Sequence, residues 1–191
     1  SLATTQLDFW RETLAGLPEV IGLPTDRPRA NTRTGVGASH LFFVPPGLHK
    51  RVVALAGAHG LSNFMVVHAA LAVMLARSGA DNDIALGTPI GGRGAPELDA
   101  LVGMFVNTLV LRTQVPLDRT VADFLTEVRT QDLDAFVHSD VPFEQIVDAL
   151  TPHRSTAHTP LIQVIFGLNN NARPILDVEG LTVTPGAVDT C

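Results

Sequence analysis

Apolar residues recur at helical spacing from the start of the chain. Leu7, Trp10, Leu14 and Leu17 mark one face of a short amphipathic helix in "TTQLDFWRETLAGLP", and Pro18 is expected to stop it. "GLPTDRPRANTRTGVGA" follows without periodicity and reads as an extended surface connector. "SHLFFVP" predicts a short strand. "PPGLHKRVVALAGAHG" predicts a helix with proline at its start and Gly60 at its end. "LSNFMVVHAALAVMLARSG" carries the strongest helical pattern, with Ser62 as its N-cap. It is apolar nearly all round and so belongs in the core.

"DIALGTPIGG" predicts a strand running into a glycine loop. In "LVGMFVNTLVLR", residues 101–112, a turn at Gly103 leads to a strand-like run from Phe105 to Leu111, ending near Gln114. Asn107 and Thr108 interrupt that run. An unpaired buried amide costs on the order of 1–3 kcal/mol, so these groups must bond within the fold or face a ligand. "TVADFLTEVRTQDLDAFVHS" predicts an amphipathic helix with Phe124, Leu125, Val128 and Leu133 on one face. "PFEQIVDALTP" predicts another, with Pro142 in its first turn. "TPLIQVIFGLN" reads as a buried strand and "GLTVTP" as a shorter one. Strands and helices mix without strict alternation, which predicts an α/β (α+β) sandwich, an open mixed sheet covered by helices.

The 191 residues, 46% of them apolar, suffice for a substantial core. A net charge of −6 argues against nucleic acid as the main partner. The one cysteine, Cys191, excludes a disulfide within the chain and a cysteine-built metal cage, in keeping with a cytoplasmic setting. The apolar stretch Phe64 to Ala76 is too short to span a bilayer, and no membrane association is expected.

Self-contained catalytic motifs are absent: there is no Gly-x-Ser-x-Gly elbow and no phosphate-binding Walker loop. "GGRG" at 91–94 is a glycine turn after a strand. His153 and His158, with four residues between them, lack a third ligand, and no metal is expected. His68 reads as a satisfied core histidine, and His59 as a helix-end residue favoured by the helix dipole. His138 stands where one helix ends and the next begins, in "HSDVPFEQIV". Asp140 is expected to cap the second helix, and Glu144 to favour its N-terminus. His138, Asp140, Pro142 and Glu144 thus form a structural corner.

Taken together, these segments resemble the C-terminal lobe of a nonribosomal peptide synthetase condensation domain. "GTPIGGRGAPELDALVGMFVNTLVLR" (87–112) is similar to that family's glycine–arginine loop and Phe-Val-Asn-Thr-Leu strand. "HSDVPFEQIVDAL" (138–150) looks like its His-Gln-Asp-Val-Pro-Phe-Glu motif, with Ser139 in place of glutamine. "RSTAHTPLIQVIFGLNN" (154–170) and "QLDFWRETLAGLP" (6–18) match its Pro-Leu strand region and the helix that opens this half. The motif His-His-x-x-x-Asp-Gly, which carries the family's proposed catalytic histidine in its N-terminal half, is not in this sequence.

The resemblance implies one chloramphenicol acetyltransferase-like lobe of a two-lobed domain, 1–191, truncated at both ends, without catalytic residues of its own and inactive alone. In the complete domain an acceptor amine attacks a donor thioester, both delivered on phosphopantetheine arms by carrier proteins. The implied partners are the N-terminal lobe, donor and acceptor peptidyl carrier proteins, and an adenylation domain. Residues 87–103 would floor the tunnel between the lobes, and 169–184 would latch them. Arg93 would steady the crossing loop or meet an arm phosphate. Asn107 would lie near the tunnel, offering its amide to a substrate or bonding a neighbouring backbone, beside Thr108. An epimerisation or cyclisation lobe and a non-catalytic carrier-binding module are the alternatives.

Overall fold

The computed structural model describes residues 2–28, 36–92, 94, 96–98, 100–150 and 158–169. Its elements run α1 (Leu2–Thr13), α2 (Pro46–Ala58), α3 (Asn63–Arg77), β1 (Asp83–Ile90), β2 (Asn107–Gln114), α4 (Val121–Val137) and α5 (Phe143–Leu150). Two helices start where a hydroxyl can accept a free backbone N–H. Ser62 accepts from Met65 at the head of α3, and Thr120 accepts from Asp123 at the head of α4.

The strands pair antiparallel, from Asp83 opposite Gln114 to Ile90 opposite Asn107. Leu109, Val110 and Leu111 are consecutive and all buried, so β2 is covered on both faces. One core joins Ala69, Ala72 and Leu75 of α3 to Ile84 and Leu86 of β1 and to Phe124, Leu125 and Val128 of α4. A second gathers Trp10 of α1 and Leu14 just after it with the β2 residues, Ala135 and Ile146. Each fully buried leucine or isoleucine contributes roughly 1.5–3 kcal/mol.

A parallel bridge adds residues 164–166 to the other edge of β1. The Gly87 N–H donates to the Val164 carbonyl at 2.9 Å, and the Phe166 N–H donates to the Gly87 carbonyl at 2.8 Å. A Cβ at position 87 would lie 2.3 Å from Ile162 Cδ1, so any other residue here would force the Ile162 side chain to move. The pairing is therefore mixed, as the α/β reading expects, though less of it is regular strand than the sequence pattern suggests.

Two polar devices hold the layers together. His68, fully buried on α3, places Nδ1 3.0 Å and 3.2 Å from the two carboxylate oxygens of Asp132 on α4. Its Nε2 lies 3.2 Å from the hydroxyl of Thr113 on β2. Arg112 forms a two-toothed pair with Asp83 at 2.9 Å and 2.6 Å, a diagonal neighbour across the ladder. The remaining nitrogen donates to the carbonyls of Thr13 and Ala15, closing the C-terminal end of α1. The hydrogen bond to Asp83 raises the Arg112 pKa above its ordinary value, outweighing desolvation.

Several sequence expectations are corrected. Residues 39–45 form no strand: Leu41, Phe42 and Phe43 are exposed, and no ladder partner lies alongside them among the described residues. "TPLIQVIFGLN" is not a buried strand. Leu161 takes a positive φ of 62°, which breaks the extended run, and Ile165 is 69% exposed. β2 begins at Asn107 instead of Phe105, so the amide opens the strand and does not interrupt its centre. On α4 the buried face takes Asp132, while Leu133 is 41% exposed. Met74 shows that α3 is open on one side. α1 ends at Thr13, before Pro18 is reached. "GLTVTP", Arg93, His153, Cys191 and all but Asn169 of the expected latch lie outside the described residues.

Replacing Arg112 tests the second device. Arg112→Ala should lower the unfolding free energy by about 2–3 kcal/mol, because Asp83 and two α1 carbonyls lose a charged donor. Arg112→Lys should lose nearly as much, since an ammonium cannot serve a carboxylate fork and two carbonyls together. Urea denaturation followed by circular dichroism measures both.

Candidate functional site

A cleft of about 470 Å³ opens where the end of β1, the glycine turn after it, residues 104–107 and the α4–α5 corner come together. Ile90, Met104, Phe105 and Val106 supply apolar wall, and Asn107, Ser139, Asp140 and Glu144 supply polar groups. Three of the motifs singled out in the sequence thus meet at one place.

The glycine turn is pressed against the chain entering β2. Gly92 has φ +62°, and a Cβ there would lie 1.8 Å from the Phe105 carbonyl oxygen. No side chain fits there, so Gly92 itself lies directly against the backbone of 105–107.

Asn107 is committed to backbone on all sides. Its Nδ2 donates to the carbonyls of Ser139 at 3.0 Å and Val141 at 2.9 Å. Its Oδ1 accepts from the N–H of Thr108 at 2.8 Å and of Phe143 at 3.0 Å. Both donor hydrogens and both acceptor lone pairs are used. The amide expected to reach a substrate is the one that holds the corner; of the two roles read from the sequence, it takes the backbone bond. Thr108 is half-buried opposite Pro89 on β1.

The corner is built differently from the capping arrangement expected. Asp140 does not cap α5. Its carboxylate accepts from Gln6 Nε2 at 2.7 Å, and its N–H donates to Gln6 Oε1 at 3.1 Å. The first N–H of α5, on Phe143, is capped by Asn107 from another element. Pro142 precedes the helix, and its carbonyl accepts from Gln145 and Ile146. Glu144 is exposed in the first turn, where a carboxylate favours the helix dipole. The His138 ring stacks on Phe9 with centroids 3.7 Å apart and planes 6° from parallel. Its Nδ1 donates to the Asp134 carbonyl at 2.8 Å, and its own carbonyl accepts from the Trp10 indole.

Gln6 and Asp132 escaped the sequence reading. Gln6 lies 134 positions from its partner, and no local signal marks it. Asp132 carried a signal that went unread: it stands four residues after Val128, but the neighbouring leucine drew the assignment. Among the described residues, no group of three or more His, Cys, Asp or Glu side chains is placed to hold a metal ion.

Asn107→Ala should cost roughly 2–4 kcal/mol, because two carbonyls and a helix-starting N–H lose their partner. Asn107→Asp keeps the acceptor but turns oxygen toward the Ser139 and Val141 carbonyls, and should cost at least as much. Thr108→Val should change stability by less than about 1 kcal/mol. Urea unfolding of the three variants ranks them.

The model of the family described as the condensation domain matches residues 2–183. A probable non-canonical nonribosomal peptide synthetase of Salinispora arenicola is 44% identical over 190 residues, covering 100% of this chain and 2% of that protein. A dimodular nonribosomal peptide synthase of Bacillus subtilis is 44% identical over 170 residues, covering 89% of this chain and 7% of its own. This chain therefore spans a small part of the curated relatives it matches. Among solved structures, a four-domain nonribosomal peptide synthetase bound to AMP and glycine superposes with a TM-score of 0.84 at 28% identity, over 87% of this chain and 13% of that one. The X-domain from teicoplanin biosynthesis superposes with a TM-score of 0.80 at 31% identity, over 86% of this chain and 37% of that one. The α/β, chloramphenicol acetyltransferase-like fold is shared with these neighbours, and with the family's glycine turn, Asn107 strand and Val-Pro-Phe-Glu corner meeting at one cleft, the chain belongs to the condensation-domain family of nonribosomal peptide synthetases.

Proposed function

We propose that this chain is the C-terminal lobe of a condensation domain and works only with an N-terminal lobe. The carrying observation is apolar surface in two places. Leu41, Phe42 and Phe43 are exposed in an extended segment, and Leu101, Val102, Met104 and Val106 are exposed beside the cleft, with Met104 at 90%. Contiguous apolar surface of this kind marks a protein contact. It fits a second lobe closing over the cleft, with residues 87–103 as the floor of the tunnel between them.

The reaction of the two-lobed domain is amide formation. The acceptor amine attacks the donor thioester carbonyl, a C–N bond forms, the C–S bond breaks, and the amine proton ends on the released phosphopantetheine thiol. The N-terminal lobe's histidine motif serves the reacting atoms. This lobe contributes tunnel wall, the crossing loop and docking surface for carrier proteins. Arg93 falls between Gly92 and Gly94 in the sequence, and its planar fork of donors suits the phosphate of an incoming arm. Asn107 acts by holding the corner that forms the cleft's far wall.

A second reading is a non-catalytic docking module. The likeness to the X-domain favours it, since that domain is also solved in complex with OxyB.

Mixing this chain with a separately made N-terminal lobe bearing His-His-x-x-x-Asp-Gly, and with loaded donor and acceptor carriers, decides between them. Dipeptidyl-carrier detected by intact mass spectrometry only when both lobes are present is the expected result. Carrier binding without product favours the docking module. By light scattering the chain alone should self-associate at high concentration and become a one-to-one complex when the other lobe is added; a strictly monomeric chain counts against the exposed contact surface.

A further inference from the structure

α4 carries two apolar stripes, one residue apart around the helix. The buried face holds Phe124, Leu125, Val128, Asp132 and Ala135. A stripe about 100° from the line through Phe124, Val128 and Asp132 runs Leu125, Arg129, Leu133 and Phe136; it shares Leu125 with the buried face. The residues that distinguish the two are Phe124, Val128, Asp132 and Ala135 on one side and Arg129, Leu133 and Phe136 on the other, so each has apolar bulk and one charged position. Arg129 is no firm bar to burying that second stripe, because a long side chain can lead its charge out to water. Hydrophobicity alone does not choose between the two faces, and Leu133 and Phe136 are left partly exposed beside the core.

Polar partners do choose. Asp132 is fully buried against His68, which is held in turn by Thr113 of β2. Turning α4 to bury Leu133 would carry the carboxylate away and leave a buried imidazole nitrogen without a partner, a cost that the gain of one leucine does not offset. A second, exposed bond acts in the same sense: Arg129 donates to the Gly60 carbonyl at 2.9 Å.

The consequence lies two helical turns further on. α4 ends at Val137, and the next residues supply the Ser139 and Val141 carbonyls that Asn107 grips. A turned α4 would present that corner at the wrong angle to β2. We infer that the buried His68–Asp132 pair is a register lock, selecting one of two near-equivalent faces of α4 and thereby positioning the corner wall of the cleft. The inference concerns α4 itself and holds for either reading of the function.

The test is His68→Leu with Asp132→Leu in the full chain. Apolar replacement of both partners of a buried pair commonly preserves stability, so the double variant should fold with an unfolding midpoint near that of the parent. Two NMR signals read the register. The Asn107 side-chain amide protons should exchange about tenfold faster or more. The ring-current shift that Phe9 imposes on His138 should shrink or split into two sets. Adding Leu133→Ser removes the attraction of the competing face and should restore both signals, a rescue that a merely packing role would not give. A double variant that keeps a single set of peaks and a protected Asn107 amide overturns the inference, as does failure of Leu133→Ser to rescue. Should the double variant fail to fold, His68→Asn and His68→Gln decide. The asparagine amide reaches toward Asp132 as Nδ1 does and should keep the register. The glutamine amide reaches toward Thr113 as Nε2 does and should lose it. Equal behaviour of the two overturns the inference.

Discussion

One side chain supplies what a five-residue turn cannot supply for itself. Between α4 and α5 the chain reverses through residues 138–142, leaving the Ser139 and Val141 carbonyls and the first N–H of α5 facing inward. Groups of this kind are strongly disfavoured when buried without partners. Asn107, at the first position of β2, has two donors and two acceptors in one plane and meets them with a single amide. The start of the strand and the start of the helix therefore form together. Gln6 on Asp140 and Trp10 on the His138 carbonyl bring α1 to the same few residues, so three segments far apart in sequence define one corner.

What was legible in the sequence follows from range. The hydroxyl cap at Ser62, the glycine turn after β1 and the helical periods are local and were read from neighbouring residues; Thr120 carried the same local signal and was not read. An amide in an apolar run also announces correctly that it needs partners. Their identity is a tertiary fact: Ser139 lies 32 positions away. The strand at 39–45 was misread because β-propensity describes a residue that suits a ladder, and a ladder needs a neighbour that propensity does not supply. The strand at 159–169 has a neighbour in β1 at 164–166, but the positive φ at Leu161 breaks the extended run before it. Asp132 shows a different limit. Spacing placed it on the buried face, hydropathy pointed to Leu133, and the deciding partner was a histidine on another helix.

The residues that carry the family likeness are, in this structure, mostly those with backbone duties. Gly92 makes room for a carbonyl, Asn107 binds four backbone groups, and Pro142 sets the approach to α5. None of the three needs to touch a reacting atom to matter. They define where the cleft wall stands.

The buried indole at this corner also gives the chain an optical probe. Trp10 is the one tryptophan in the sequence, and there is no tyrosine. Its ring is fully buried and its N–H is bound to the His138 carbonyl, with Phe9 edge-on and 5.1 Å away. Near-ultraviolet emission from this chain therefore comes from a single site. It reports the docking of α1 onto the corner, without any label, whenever the chain is unfolded or titrated with a protein that lacks tryptophan.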